Sequence, residues 1–233
     1  MRLIQHLHPT IKQTFLLAVI PAISFNAMAG EKVDKTFTTS ASPIVEIEHV
    51  AGKATITGWD KNEVKVSGEL SDRTEAFIFE KKGDDVILKV ETNHRKIDWR
   101  DKNPGDGDDL TIFVPAKSGL SYTAVVADVE ASRLTNSVQF DVVNGDITAS
   151  LTLAEKGDVD ASSVGGTLHL KMQKGVSARV EMQAHAGGDI VNRLTADKPS
   201  SAKYGPNEWL EFTANGGRAT IEMSTVHGEL IVE

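Results

Sequence analysis

The run from Asp101 to Asp109, Asp-Lys-Asn-Pro-Gly-Asp-Gly-Asp-Asp, places several carboxylates in one flexible loop. Hard cations such as calcium are held by clustered oxygens of this kind. The spacing does not fit the helix-loop-helix calcium loop, which needs Gly at its sixth position and Glu at its twelfth; here those positions hold Asp106 and Ile112. The turns Gly145-Asp146, Gly157-Asp158 and Gly188-Asp189 lack the Gly-Gly-x-Gly-x-Asp nonapeptide of calcium-binding β-rolls. A solvated turn is the expectation, with no metal and no cofactor assigned.

Five histidines lie beyond residue 29: His49, His94, His169, His185 and His227. They are far apart in sequence, form no zinc-protease signature, and have no Cys to share a metal with, since the chain contains none. Neither a Gly-x-Ser-x-Gly element nor a phosphate-binding glycine loop is present. No catalytic residue is assigned, and the chain is read as a non-enzyme. A polysaccharide-active enzyme is the enzymatic alternative, resting on fold analogy alone, because the separation of a carboxylate pair is spatial. Of the tryptophans, Trp59 reads as packing over the first repeat. Trp99, set between Asp98 and Arg100 in a polar loop, is the candidate binding residue. The tripeptide Lys156-Gly157-Asp158 is too short to carry a function.

The elements that must position these residues are strands. From Ile44 onward apolar residues alternate with polar ones, as in Ile44-Val-Glu-Ile-Glu48, Val86-Ile-Leu-Lys-Val90 and Leu110-Thr-Ile-Phe-Val114. Gly, Asn, Asp or Pro bounds each run. The one short helix candidate is Asp72 to Phe79. In the second half Gly145, Gly166 and Gly187 recur at intervals of 21 residues, and Gly217 follows 30 later. The longer interval is read as the same repeat carrying a loop insertion, Ala196 to Pro206. Phe140, Ala161 and Met182 keep one register across the repeat, as do Ile147 and Leu168. Equal spacing predicts an all-β, β-helix-like solenoid of stacked coils of about 21 residues, because stacked coils must turn at the same place each time. The alternative is an antiparallel hairpin meander or sandwich, with Asn144-Gly145 as a hairpin turn. The expected organisation is a leader (signal peptide) at 1–29, a less regular β region at 30–115 and a repeat region at 116–233, with one continuous domain over the last two as the alternative.

The leader is read from Arg2 and Lys12, an apolar run from Phe15 to Phe25, and Ala27-Met28-Ala29 ahead of Gly30. That run is too short to cross a bilayer as a helix, which takes about 20 residues. Loss of Arg2 and Lys12 takes the formal charge from −8 to −10. An anionic surface disfavours nucleic acid and anionic lipid, so the expected partner is an envelope protein or a glycan, with no membrane insertion after processing. The expected location is periplasmic or secreted. Without cysteine the fold must rest on packing and backbone hydrogen bonds.

The segment Ile56-Thr-Gly-Trp-Asp-Lys-Asn-Glu-Val-Lys-Val66, the Pro-ended strand Leu110 to Pro115, and the turns at Asn144 to Ile147 and Val164 to Leu168 form an ordered set. Together they resemble the bacterial putative-adhesin family of unknown function with β-strand repeats, over most of the chain beyond the leader. The resemblance implies an exported β-helix-like domain, a surface-binding role, and no catalytic residues to carry over. The combined expectation is a binding or scaffolding module of the cell envelope, with specificity in the loops at Asp98 to Asp109 and Asp197 to Asn207; a structural module of an envelope assembly is the other alternative. Intact-mass measurement of the exported protein is expected to give a chain starting at Gly30; a chain starting at Met1 would contradict the leader assignment.

Overall fold

The computed structural model describes residues 22–26, 30–92, 107–154 and 156–233; Trp99, His94 and most of the acidic run, through Asp106, lie outside them. All regular structure in the described residues is β. The first strands are β1 (Ala22–Asn26), β2 (Lys32–Thr38), β3 (Ile44–Trp59), β4 (Glu63–Glu69), β5 (Thr74–Lys82), β6 (Asp85–Thr92), β7 (Asp108–Pro115) and β8 (Gly119–Leu134). They are followed by β9 (Val138–Asn144), β10 (Ile147–Leu151), β11 (Asp158–Gly165), β12 (Thr167–Met172), β13 (Ala178–Ala184), β14 (Asp189–Asn192), β15 (Ser200–Ser201), β16 (Glu208–Ala214), β17 (Ala219–Thr225) and β18 (Glu229–Val232). The piece from Asp72 to Phe79 is a turn running into β5 and not a helix: Phe77 and Phe79 alternate inward at period two against β6.

Strands β3 and β8 are long, and each changes the phase of its buried positions partway along. Alternation slips by one residue at Ala51-Gly52 in β3 and at Val126-Ala127 in β8, where two successive residues are buried. Each long strand therefore has two arms. The first arm of β3 pairs in parallel with β6 and β8, and its second arm with β7 and again β8. Beyond β8 the same two arms continue as separate strands, β9 and β10, then β11 and β12. Strands β9 and β10, on either side of Asn144-Gly145, each pair with other strands and not with each other, as the hairpin alternative would require. Antiparallel pairing is confined to the ends: β2 with β4 and β4 with β7, β1 with β5 and β5 with β6, and β13 with β16 followed by β15. The sheet is not closed.

Side chains stack in register along this direction. Val45, Leu120, Val138, Val159, Ile221, Val180 and Phe212 form one inward column on the first arm. Ala54, Val129, Ile147, Leu168, Leu230 and Ile190 form another on the second. Both columns belong to one continuous apolar core. Stacked rows of this kind bury each strand's apolar edge against its neighbours alone.

Among the strands that follow β8, spatial order departs from chain order at one place. Strands β17 and β18 pair in parallel with β11 and β12 on one side and with β13 and β14 on the other. The last coil is thus wedged between two earlier ones. This corrects the expected glycine column. Gly166 does lie on Gly145: with φ of +100°, a Cβ there would sit 2.0 Å from the Gly145 carbonyl oxygen. The next members, however, are Gly228, where a Cβ would meet the Gly166 oxygen at 2.2 Å, and then Gly188, facing the Gly228 oxygen at 2.8 Å. Gly187 is one residue off the column, in open space, and Gly217 lies in the turn before β17. Met182 likewise meets Met223, not Ala161, because the inserted coil separates them. Two similar stretches, Asp128-Val-Glu-Ala-Ser132 and Asp146-Ile-Thr-Ala-Ser150, pair in register from Val129 with Ile147 to Ser132 with Ser150, whereas the related Asp158-Val-Asp-Ala-Ser162 falls on the other arm.

One polar network sits inside the apolar core. His49, on the first arm of β3, is 1% exposed, and its Nδ1 lies 2.8 Å from the hydroxyl of Tyr122 on β8. Its Nε2 faces Asp108 Oδ2 at 3.5 Å, a charge contact longer than a good hydrogen bond. Asp108 Oδ1 accepts from the Thr74 hydroxyl and from the Ser71 backbone N–H at 2.8 Å. Burial pushes the Asp108 carboxyl up, but the contact with His49 and the Thr74 and Ser71 donors together hold it below the ordinary carboxylate range. Burial, with smaller contributions from Asp108 and Asp128, raises the Tyr122 phenol, which therefore stays protonated. Asp108 is the one part of the acidic loop whose role is visible: it ties the start of β7 to β3, β8 and the turn before β5.

Gly166→Val is expected to cost at least roughly 1–3 kcal/mol from backbone strain alone, and more once the clash with Gly145 is added. Gly187→Val, with φ of +95° but open space, should cost the strain only; equal losses in denaturant melts would contradict the column. Because the folded carboxyl of Asp108 is depressed, its contribution is present above the ordinary carboxylate pKa and is lost as pH falls through the folded value. Asp108→Asn should lower stability near neutral pH by roughly 1–3 kcal/mol and flatten the acid limb of the stability profile. An unchanged acid limb would show that Asp108 does not set it.

Candidate functional site

Strands β13 and β16 run antiparallel at one end of the first arm, so that their outward residues meet across the ladder: Gln183 faces Trp209, and Glu181 faces Glu211. The alternation of Glu208-Trp-Leu-Glu-Phe-Thr-Ala214 turns Leu210, Phe212 and Ala214 inward and leaves Trp209, Glu211 and Thr213 outside. Trp209 is 48% exposed, an unusual position for so large an aromatic. It borders a groove of about 340 Å³ whose lining includes Glu181, Gln183, His185, Asn207 and Glu208.

The groove's far wall is the loop insertion between β14 and β16, and its shape is fixed by named bonds. Ala202 N–H donates to the Asn207 carbonyl at 2.9 Å, and Asn207 Oδ1 accepts from Ala186 N–H at 3.2 Å. Glu208 accepts from Ile190 N–H and from the Ser201 hydroxyl, both at 3.2 Å. Asn192 Nδ2 donates to the Asp197 carbonyl at 3.0 Å, closing the start of the insertion. The tip presents Tyr204, 86% exposed, with the Lys203 ammonium 5.4 Å from its ring centre. The expected specificity loop at Asp197 to Asn207 thus does border a groove, while Trp99 lies outside the described residues.

Beside the groove runs a row of carboxylates. Asp160, Glu222, Glu181 and Glu211 are successive partners across β11, β17, β13 and β16. Like charges directly opposite each other weaken a sheet, so each member needs relief. Arg179 Nη2 lies 3.3 Å from Glu211 Oε1, and Gln183 Nε2 donates to Glu181 Oε1 at 2.7 Å. Partial burial, together with the neighbouring Asp141, raises the Asp160 carboxyl. Glu181 and Glu211 are both exposed and stand opposite each other across the β13–β16 ladder. Among the described residues no group of three or more His, Asp or Glu side chains is placed to hold a metal ion.

The other singled-out residues take structural positions. Trp59 stacks on Phe113 with ring centres 5.0 Å apart and donates its Nε1–H to the Glu63 carbonyl at 2.8 Å. His49 is buried in the network above, His169 contacts Glu233 at 3.0 Å, and His227 lies beside the Ala186 carbonyl; of the described histidines, His185 is the one that reaches the groove. Trp209 had a signal that spacing of catalytic motifs does not register: a Trp in the polar phase of an alternating strand, on the same face as Glu211.

No family model and no curated protein matches the sequence. Among solved structures, the chain is similar to a putative cell adhesion protein from Clostridium sporogenes ATCC 15579, at 12% identity and a TM-score of 0.58, covering 87% of this chain and 98% of that one. It also aligns with a putative adhesin from Bacteroides fragilis NCTC 9343 at 12% identity, covering 87% and 97%, with a TM-score of 0.33. At these identities the likeness to the Clostridium protein is one of fold, and it joins the motif resemblance to putative adhesins: this all-β chain has the fold of a protein so described.

Proposed function

We propose that this chain is a non-enzymatic binding module of a bacterial cell envelope, exported and freed of its leader, in which a β-solenoid presents the Trp209 groove to a glycan. The solenoid reading is supported by parallel in-register pairing of successive two-armed coils, as in Ile147 with Leu168 and Val138 with Val159, 21 residues apart. The adhesin description of the fold neighbour favours a surface-binding role. The groove itself carries the ligand class. An exposed indole offers a flat face for the apolar side of a sugar ring, while Gln183, Asn207, Glu181 and Glu208 ring it with donors and acceptors for hydroxyl groups. The anionic row beside it disfavours anionic saccharides and selects for neutral or amine-bearing ones.

Titrating the purified protein with envelope-derived oligosaccharides, followed by tryptophan fluorescence, tests this directly. Trp209→Ala is expected to weaken binding by about 30-fold, the effect of losing a central aromatic anchor, and to leave the melting temperature nearly unchanged because the side chain is half exposed. Unchanged affinity in that variant, or cleavage of the saccharide by the native protein, would overturn the reading.

A further inference from the structure

We propose that the slot beside β5, filled in this chain by residues 22–26, is a strand-acceptor site: once those residues leave with the leader, it takes an extended segment of a partner protein with apolar residues at alternate positions. The proposal rests on the export reading given above.

Strand β1 lies antiparallel on the outer edge of β5, with Ala22 opposite Glu80, Ser24 opposite Ile78 and Asn26 opposite Ala76. The two arms of the fold explain why a strand belongs there. Outside β3, the second arm adds β7, β4 and β2, whereas the first adds only β6 and β5 before β1. Strand β1 makes the two arms equal in number. Without it β2 extends one strand beyond the facing sheet, although β2 contributes the buried Val33 to the core and Phe37, whose ring stacks on Phe79 at 4.6 Å.

The middle of the β5 edge also lacks the charges that guard many edge strands against pairing, and its one irregularity, between Thr74 and Ala76, lies at the strand's start. Natural edge strands carry charges along their length. Strand β2, the outermost on its own arm, has Lys32, Asp34 and Lys35, but the middle of β5, Ala76-Phe-Ile-Phe79, is uncharged, and its charges sit only at the ends in Glu75, Glu80, Lys81 and Lys82. An uncharged strand edge beside an overhanging sheet is a template for strand addition, in which main-chain hydrogen bonds give affinity and alternate side chains give specificity. Register positions 23 and 25, occupied in the sequence by Ile and Phe, stand opposite Phe79 and Phe77. The partner segment is therefore one with large apolar residues at two positions spaced by two.

The test uses the exported protein, its N-terminus fixed by intact mass, and a fluorescent peptide of residues 20–28. The Gly30-start protein is expected to bind the peptide with a micromolar Kd and to slow amide exchange at Phe77 to Glu80 on binding. A peptide carrying Ile23→Asp and Phe25→Asp should bind at least tenfold more weakly, and the full-length chain, whose slot is filled, should not bind. Equal binding of the two peptides, or no binding by the Gly30-start protein, would overturn the acceptor site alone. A Met1 start on the exported chain would overturn both the acceptor site and the export reading.

Discussion

From β8 to β12 parallel strands lie on one another with their backbone hydrogen bonds in register, and one of the close points of that contact is the corner where Gly166 rests on Gly145. A side chain at Gly166 would place its first carbon 2.0 Å from a carbonyl oxygen, so the corner admits only glycine at this spacing. The corner sets where each arm begins, and a slip of one residue would turn every inward residue of that arm to solvent. The columns from Val45 to Phe212 and from Ala54 to Ile190 are therefore consequences of the corner as much as of hydrophobic pattern. With no cysteine in the chain, this repeated pairing does the work that cross-links do in many exported domains.

Two departures from repetition carry the specific features. Where β3 and β8 stack without a break, the interior accommodates Tyr122, His49 and Asp108, a buried polar chain that ties β3, β7 and β8 together. Where the last coil inserts between earlier ones, β13 is displaced outward and acquires an antiparallel partner, β16, instead of another coil. That exchange lets the connecting loop fold back as the groove wall and leaves Trp209 between β13 and the two-residue β15 rather than inside a parallel stack.

The strands were legible because their period-two alternation is local, and the stacking of Ile147 on Leu168 was legible because equal spacing of glycines reports equal coil length. The position of the last coil was not. Gly187 keeps the interval of 21 residues yet sits one step from the corner, since β13 takes its register from β17, a strand that follows it in sequence. Spacing along a chain cannot report a neighbour that arrives later. The buried network was hidden for a similar reason: His49, Asp108 and Tyr122 are distant in sequence and are joined by pairing between β3, β7 and β8. Trp209 was readable in principle, as an aromatic in the polar phase of its strand, but its neighbours Gln183 and Glu181 reach it only across the antiparallel ladder.

Cysteine pairing across the outward row measures the order of coils directly, against a background free of native thiols. With the last coil wedged between its predecessors, Asp160→Cys with Glu222→Cys, and Glu222→Cys with Glu181→Cys, each bring together positions one strand spacing apart, about 4.8 Å. Both pairs should oxidise readily to disulfides in the folded protein. Asp160→Cys with Glu181→Cys lies two spacings apart, beyond the roughly 7 Å that a disulfide can bridge, and should remain reduced. Rapid closure of that third pair, with the first two unreactive, would mean that the coils stack in chain order and would contradict the architecture on which the groove depends.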